Sequence, residues 1–280
     1  MLFRYFQHIH LSLPIVDQDT FWNLWKNDRD KISPTLICNI YAITIPYWRS
    51  SEVLINLPPP DSDFAWNQAV AASQDDFTTP SITTVCSALI NLAGRPAMEM
   101  RGNVLNVGRT VSLAHSLGLH RDPTHWETPE AEKQLRASLW WTILIHDSWV
   151  SLTHGTPPCI HSRNHNVPLP CPEVSSTSNR SAQTDGSCHT FVRLCALTQL
   201  LAEILPLIYA IRPECSEMQS KVQQVQNSLD VLEESSSVAR ANEDLAQGSA
   251  TESANLRFCF LTVKMVLGRV AFKVRIPLHV

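Results

Sequence analysis

Residues 101–158 read RGNVLNVGRTVSLAHSLGLHRDPTHWETPEAEKQLRASLWWTILIHDSWVSLTHGTPP, and two helices with a sharp turn between them follow from this stretch. The first carries Val104, Val107, Val111 and Ala114, with Leu105, Leu113 and Leu117 to one side, at apolar spacings of three and four. Gly118 stands where a closing helix needs a left-handed residue, Leu119 is placed to fold back on the last turn, and Pro123 forbids continuation. The second helix opens on Thr128 as N-cap and Pro129 at the first helical position, with Glu130 and Glu132 at the positive end of the dipole. It runs to Gly155, ahead of Pro157 and Pro158, a length of roughly 26 residues or about 39 Å. Leu135, Leu139, Trp140, Trp141, Ile143, Leu144, Ile145, Trp149, Val150 and Leu152 cover most of its circumference, so its middle is expected to be buried on several sides.

The rest of the chain repeats the pattern of apolar helix and short break. Leu2, Phe3, Tyr5, Phe6 and Ile9 form an aromatic helical patch that Pro14 ends, and Phe21, Trp22, Leu24 and Trp25 begin another helix. Residues 33–49 hold a helix with Ile37, Ile40, Tyr41 and Ile43, and Leu57 to Pro60 form a turn. Asp61 or Asp63 then caps a helix through Trp66 and Val70, and Pro80 with Ser81 restarts the chain into Ile82, Val85, Leu89 and Leu92. After a polar stretch, a buried helix spans Phe191, Leu194, Cys195, Leu197, Leu200, Leu201, Ile204 and Leu205, and a more polar one runs from Glu214 to Leu232. The segment from Leu256 to Ile276 is apolar, with Arg257, Lys264, Arg269, Lys273 and Arg275 and no acid. It is read as a core helix with snorkelling basic ends, against contact with a membrane or an anionic partner. The expected architecture is all-α, an array of packed helical hairpins without a sheet. It forms one domain over residues 1–276, with disordered inserts at 171–188 and 234–255, where the composition turns polar.

Bulk composition supports a folded core: of 280 residues, 44% are hydrophobic and 17% charged. A formal net charge of -4 argues against a free-standing nucleic-acid binder, which normally presents a basic face. The eight cysteines include no CxxC pair, and with no signal-peptide pattern they read as reduced intracellular thiols. No uninterrupted apolar run is long enough for a transmembrane helix.

Several fragments imitate catalytic motifs. His120-Arg121-Asp122 spells the kinase catalytic-loop triplet, but no glycine-rich loop precedes it. It is read as a turn in which Asp122 caps and Arg121 pairs. Asp75-Asp76 resembles the start of an aspartate-rich magnesium motif, yet Thr79 stands where a third carboxylate is required. Cys159, His161, His165 and Cys171 are all zinc-competent, but their spacing fits no zinc module. Eight glycines leave little room for a phosphate loop or dinucleotide fingerprint. No catalytic, cofactor-binding or metal residue is assigned, and the chain is expected not to be an enzyme. Asp147 sits among apolar neighbours, where a carboxylate is costly unless paired. It is expected to be a structural pair or cap with Arg109, Arg121 or Arg136, with a switch or ligand contact as the alternative. The Trp140-Trp141 pair reads as core in preference to a ligand box.

The order LGLHRDP, a spacer with Trp126, RASLWW, Asp147, SLTHGTPP and NVPLP resembles the fungal-specific transcription factor domain. That is the regulatory middle region of fungal zinc-cluster transcription factors, including the xylanolytic-activator type. The residues that carry the resemblance are Leu117, Gly118, Leu119, His120, Arg121, Arg136, Trp140, Trp141, Asp147, Gly155, Pro157 and Pro170. Two positions depart from the pattern: Thr156 where arginine usually precedes proline, and Ser148 where arginine often follows the aspartate. The resemblance implies regulation of transcription in a fungal nucleus, with a metabolic or secondary-metabolite gene cluster as the target. It implies no cofactor here, because the family's zinc ions need a six-cysteine cluster that these residues do not spell. Implied partners are other transcription factors or coregulators, with a dimer and a small-molecule effector as open alternatives. DNA is reached only indirectly, although DNA-binding is a family property, and no membrane is involved. The competing readings are a helical small-molecule-binding protein or enzyme, and a truncated fragment without function.

Overall fold

The computed structural model describes residues 1–94, 100–170, 183–210, 215–243 and 250–275, and among these every regular element is helical. The α-helices are α1 (Leu2–His8), α2 (Gln18–Asn27), α3 (Pro34–Thr44), α4 (Ser62–Asp76) and α5 (Ile82–Gly94). There follow α6 (Met100–Ser116), α7 (Glu130–His154), α8 (Gln183–Tyr209), α9 (Cys215–Glu243) and α10 (Ala250–Arg275). The all-α expectation holds.

Local chemistry sets the boundaries. The side chains of Asp17, Ser33 and Asp61 accept from the backbone N–H of Thr20, Leu36 and Phe64, so short polar side chains open α2, α3 and α4. Ser81 and Thr84 cap each other reciprocally at the start of α5. The helix expected over 33–49 ends at Thr44 and tightens into a 3-10 turn over Ile45–Ser50. Pro46 disfavours the helical conformation of the residue before it and cannot donate to the ladder.

The polar stretches expected as inserts, 171–188 and 234–255, fall partly outside the described residues, and the parts that are described are helical. Residues 171–182 lie outside the described residues, while 183–188 belong to α8. Likewise 234–243 continue α9 and 250–255 open α10, leaving 244–249 outside the described residues. Once an apolar segment has nucleated a helix, each further polar residue adds a hydrogen bond without repeating the nucleation cost.

Contacts gather the chain into two compact units, and the division falls within α7. The first holds Met1–His146 with His165–Pro168. In it α3 lies against α1, α4 and α5, and α5 packs on α6. Tyr5, Ile40, Leu89, Ile90, Ala114 and Leu139 are fully buried there. Asn91 donates from α5 to Asn39 of α3 at 3.2 Å, pairing two amides that burial would otherwise penalise. At Gly94 the helices come so close that an added Cβ would overlap the buried ring of Trp66 and lie 2.7 Å from Ile43 Cγ1.

The second unit holds Asp147–Asn164 and Leu169–Val280. Here α8, α9 and α10 pack mutually around Leu197, Leu201, Ile204, Val225, Val263 and Leu267. The indole of Trp149 donates to Thr198 Oγ1 at 3.0 Å, and the Tyr209 hydroxyl donates to the Ser151 carbonyl at 2.9 Å, so the end of α7 is tied to α8. Lys221 pairs with Glu203 at 2.7 Å across α9 and α8, and Lys264 of α10 pairs with Glu233 of α9. Thr190–Tyr209 of α8 is long and apolar enough to cross a membrane by length and composition alone. Arg193 and Glu203 interrupt its apolar run. In the structure its Leu197, Leu201, Ile204 and Leu205 form part of the packed core with α9 and α10.

Candidate functional site

The two helix ends that frame α7 have the same construction. Gly118 has φ +71°, with Leu119 N–H donating to Ala114 O at 3.0 Å and Gly118 N–H to His115 O at 3.1 Å. Gly155 has φ +68°, and Thr156 N–H donates to Ser151 O at 3.1 Å. Both are glycine-closed helix ends in which the chain doubles back to cover the last carbonyls. Leu119 is buried, as its placement predicts. The start of α7 departs from expectation: the Thr128 hydroxyl is buried without a partner among the described residues. The first turn forms on Pro129 instead, whose carbonyl accepts from Glu132 and Lys133.

The residues carrying the family resemblance then fall into two places. In the first unit, Arg136 reaches back from α7. It bonds Glu132 at 2.9 Å, lies 5.1 Å over the Trp126 ring and donates to the Leu117 carbonyl at 3.4 Å, near the end of α6. Asp122 accepts from the N–H and hydroxyl of Thr124, and Asn166 accepts from Asp122 N–H at 2.8 Å. The kinase-like triplet is therefore a turn. Arg121 closes it through its backbone, donating to Gly118 O at 3.1 Å, while its side chain is exposed.

Trp140 and Trp141 are both buried, as a core pair. Their polar edges differ. Trp141 donates to the Pro168 carbonyl at 2.7 Å, whereas Trp140 Nε1 has no partner among the described residues. Three imidazoles surround Trp140, with ring centroids 5.5 Å away for His115, 6.1 Å for His120 and 5.4 Å for His165. His115 and His120 meet edge to face at 5.0 Å. The Nδ1 atoms of His120 and His165 are buried and also lack partners among the described residues. Desolvation, then the neighbouring charges of His115 and Arg121, holds the His120 pKa below the ordinary imidazole value. His165 is lowered in the same way, by burial first and then by His115 and His120. At neutral pH His120 and His165 are thus neutral rings, set against the indole of Trp140. His115 carried no role in the sequence reading; its spacing of five from His120, across the Gly118 turn, is the signal that brings the two rings together.

In the second unit, Asp147 is buried and its two oxygens accept from Cys159 N–H at 3.0 Å and Ile160 N–H at 2.8 Å. The carboxylate thus holds main chain just beyond Gly155 and Pro157. Pro157 itself is exposed. Burial, and then the Asp147 charge beside it, raises the Cys159 thiol pKa. Ser148 is fully buried, and its hydroxyl has no partner among the described residues.

Other chemical groupings do not converge. His161 Nδ1 accepts from Arg163 N–H at 3.2 Å, while His165 belongs to the Trp140 cluster and Cys171 lies outside the described residues. Among the described residues, no group of three or more His, Cys, Asp or Glu stands in metal-holding geometry. A small cavity in the first unit is lined by Gln74, Phe77, Asn91, Asn106 and Arg109, with the Arg109 guanidinium 4.2 Å over the Phe77 ring.

These helix ends and the segment between them lie inside a match to the fungal specific transcription factor domain that covers residues 2–234. The chain belongs to that family. An uncharacterized transcriptional regulatory protein of Schizosaccharomyces pombe is 30% identical over 210 residues, 74% of this chain and 32% of that protein. The transcriptional activator protein DAL81 of Saccharomyces cerevisiae is 28% identical over 152 residues, 54% of this chain and 16% of that protein. The acetamidase regulatory protein of Aspergillus fumigatus is 26% identical over 201 residues, 69% of this chain and 25% of that protein. The chain thus spans a third or less of the length of these relatives. No solved structure matches it. The chain carries a fungal transcription-regulator domain.

Proposed function

We propose that this chain is the regulatory part of a fungal transcription regulator that works in the nucleus on a metabolic or secondary-metabolite gene cluster. It acts by contact with other transcription factors or coregulators and not by catalysis, and it reaches DNA only through them. The observation that carries this reading is the family match over residues 2–234, which takes in both glycine-closed helix ends and all of α7. The gene-cluster target draws support from relatives named for acetamidase regulation and for a terreic acid cluster.

A second reading, that the domain also senses a small effector, is favoured by one observation. Trp140 Nε1, His120 Nδ1 and His165 Nδ1, without partners among the described residues, are a donor and two ring nitrogens within one cluster. Buried polar groups ordinarily find partners.

The test fuses the chain to a heterologous DNA-binding module in a fungal host and reads a reporter gene. The expected result is output that differs from the module alone and shifts with carbon or nitrogen source, and a Trp140→Phe variant that loses the shift. Output identical to the module alone would overturn the regulatory reading. Sequence-specific DNA retention by the purified chain in a gel-shift assay would overturn the claim of indirect contact.

A further inference from the structure

We propose that the outer face of α10 is a docking surface for an amphipathic helix of a partner protein whose apolar stripe is flanked by acidic residues. Helix α10 is apolar on two sides. Phe260, Val263, Leu267 and Val270 face the core shared with α8 and α9. On another face Phe258, Leu261, Met265 and Phe272 are 70%, 56%, 52% and 67% exposed. A helix apolar all round is normally covered all round. Contiguous exposed apolar surface of this kind marks an interaction site.

The spacing identifies the shape of the occupant. Positions 258, 261, 265, 268 and 272 follow one another at three, four, three and four residues, the a and d positions of a heptad seam, over about 21 Å of helix. At the fourth position stands Gly268, around which a Cβ would meet nothing within 4 Å. An exposed glycine in the seam lets an incoming helix approach closely. The geometry is that of a helix laid against a helix.

Charge decides which helix. The seam is flanked at the adjoining heptad positions by Arg257, Thr262, Lys264 and Arg269, with no acid among them. Arg257 and Arg269 are exposed, and Lys264 is paired with Glu233. Laid in parallel against a second copy of itself, the seam would set Lys264 against Arg269, and like charges at these positions disfavour pairing. Acidic residues at the same positions of the incoming helix would meet Arg257 and Arg269 favourably.

The probe is a synthetic heptad peptide with Leu at a and d and Glu at e and g, fluorescently labelled, and compared with the same peptide bearing Lys at e and g. Anisotropy with the purified chain is expected to show binding of the acidic peptide only, weakening as salt rises. Leu261→Asp with Met265→Asp should weaken it by about tenfold or more. An unchanged melting temperature in that variant would confirm that these exposed residues serve the surface and not the fold. Arg257→Glu with Arg269→Glu should exchange the preference toward the lysine peptide. The proposal fails if neither peptide binds, or if both bind equally. It fails also if the chain instead sediments as a dimer that Leu261→Asp dissociates, or binds only vesicles rich in anionic lipid.

Discussion

At the residue scale, Asp147 shows how a costly group is made structural. Its carboxylate is buried, yet it accepts from two backbone amides of the segment that follows α7. A charged acceptor contributes more than a neutral one, and its removal leaves the buried Ile160 N–H and the half-buried Cys159 N–H unsatisfied. Asp147→Ala should therefore cost about 2–4 kcal/mol. In a chain of this size that lowers the thermal midpoint by roughly 5–10 °C, read by circular dichroism. Asn at this position retains only one accepting oxygen and should fall between. The neighbour behaves oppositely. Ser148 keeps a buried hydroxyl without a partner among the described residues, so Ser148→Ala should leave stability unchanged or raise it by about 1 kcal/mol. A clear loss in the denaturant midpoint would show that the hydroxyl is bonded. The sequence marked Asp147 as exceptional because a lone acid among apolar residues is legible in one dimension. Its partners were not, since main-chain amides carry no letter of their own.

At the scale of elements, boundaries were legible wherever a residue type enforces one backbone geometry. Gly118 and Gly155 both close their helices at positive φ, where a Cβ is strained. Ala at Gly118 would meet only Trp126, at 3.8 Å, and Ala at Gly155 would meet nothing within 4 Å. Each replacement should thus cost the conformational penalty alone, about 1–2 kcal/mol. Equilibrium urea unfolding of the two variants would check it, and equal losses are expected. The start of α7 was less legible. Thr128 and Pro129 are both sound openers, and a sequence pattern does not choose between caps one residue apart. The helical state of 183–188, 234–243 and 250–255 was hidden for another reason. Helix propagation out of an apolar core is a cooperative effect that local composition does not carry. The cluster around Trp140 was hidden too, because His165 reaches it from a segment far along the chain.

At the scale of the whole molecule, the histidines tie stability to pH. His146 is pushed down to about 4 by burial, against an ordinary value of 6.5. His120 and His165 are lowered in the same direction. Between pH 6.5 and about 4 the unfolded chain binds the His146 proton and the folded chain does not. Stability from this group is then present above the unfolded pKa and lost as the pH falls through that window. Melting midpoints should decline steadily from pH 7 to pH 5, and His146→Leu should flatten the decline. A profile that rises on acidification would contradict the neutral, covered placement of these rings. The all-helical class was legible from end to end, since apolar residues at three- and four-residue spacing admit no strand. The division of contacts into two units was not, because it falls inside α7, where the sequence shows no break.

The close approach at Gly94 has a genetic corollary. A glycine codon becomes an alanine codon by one base change, and the added methyl group would press on Trp66 and on Ile43. The Gly94→Ala chain should melt several degrees below the parent, read by circular dichroism. A fold that holds when cool and fails when warmed would make this domain conditional without removing its gene.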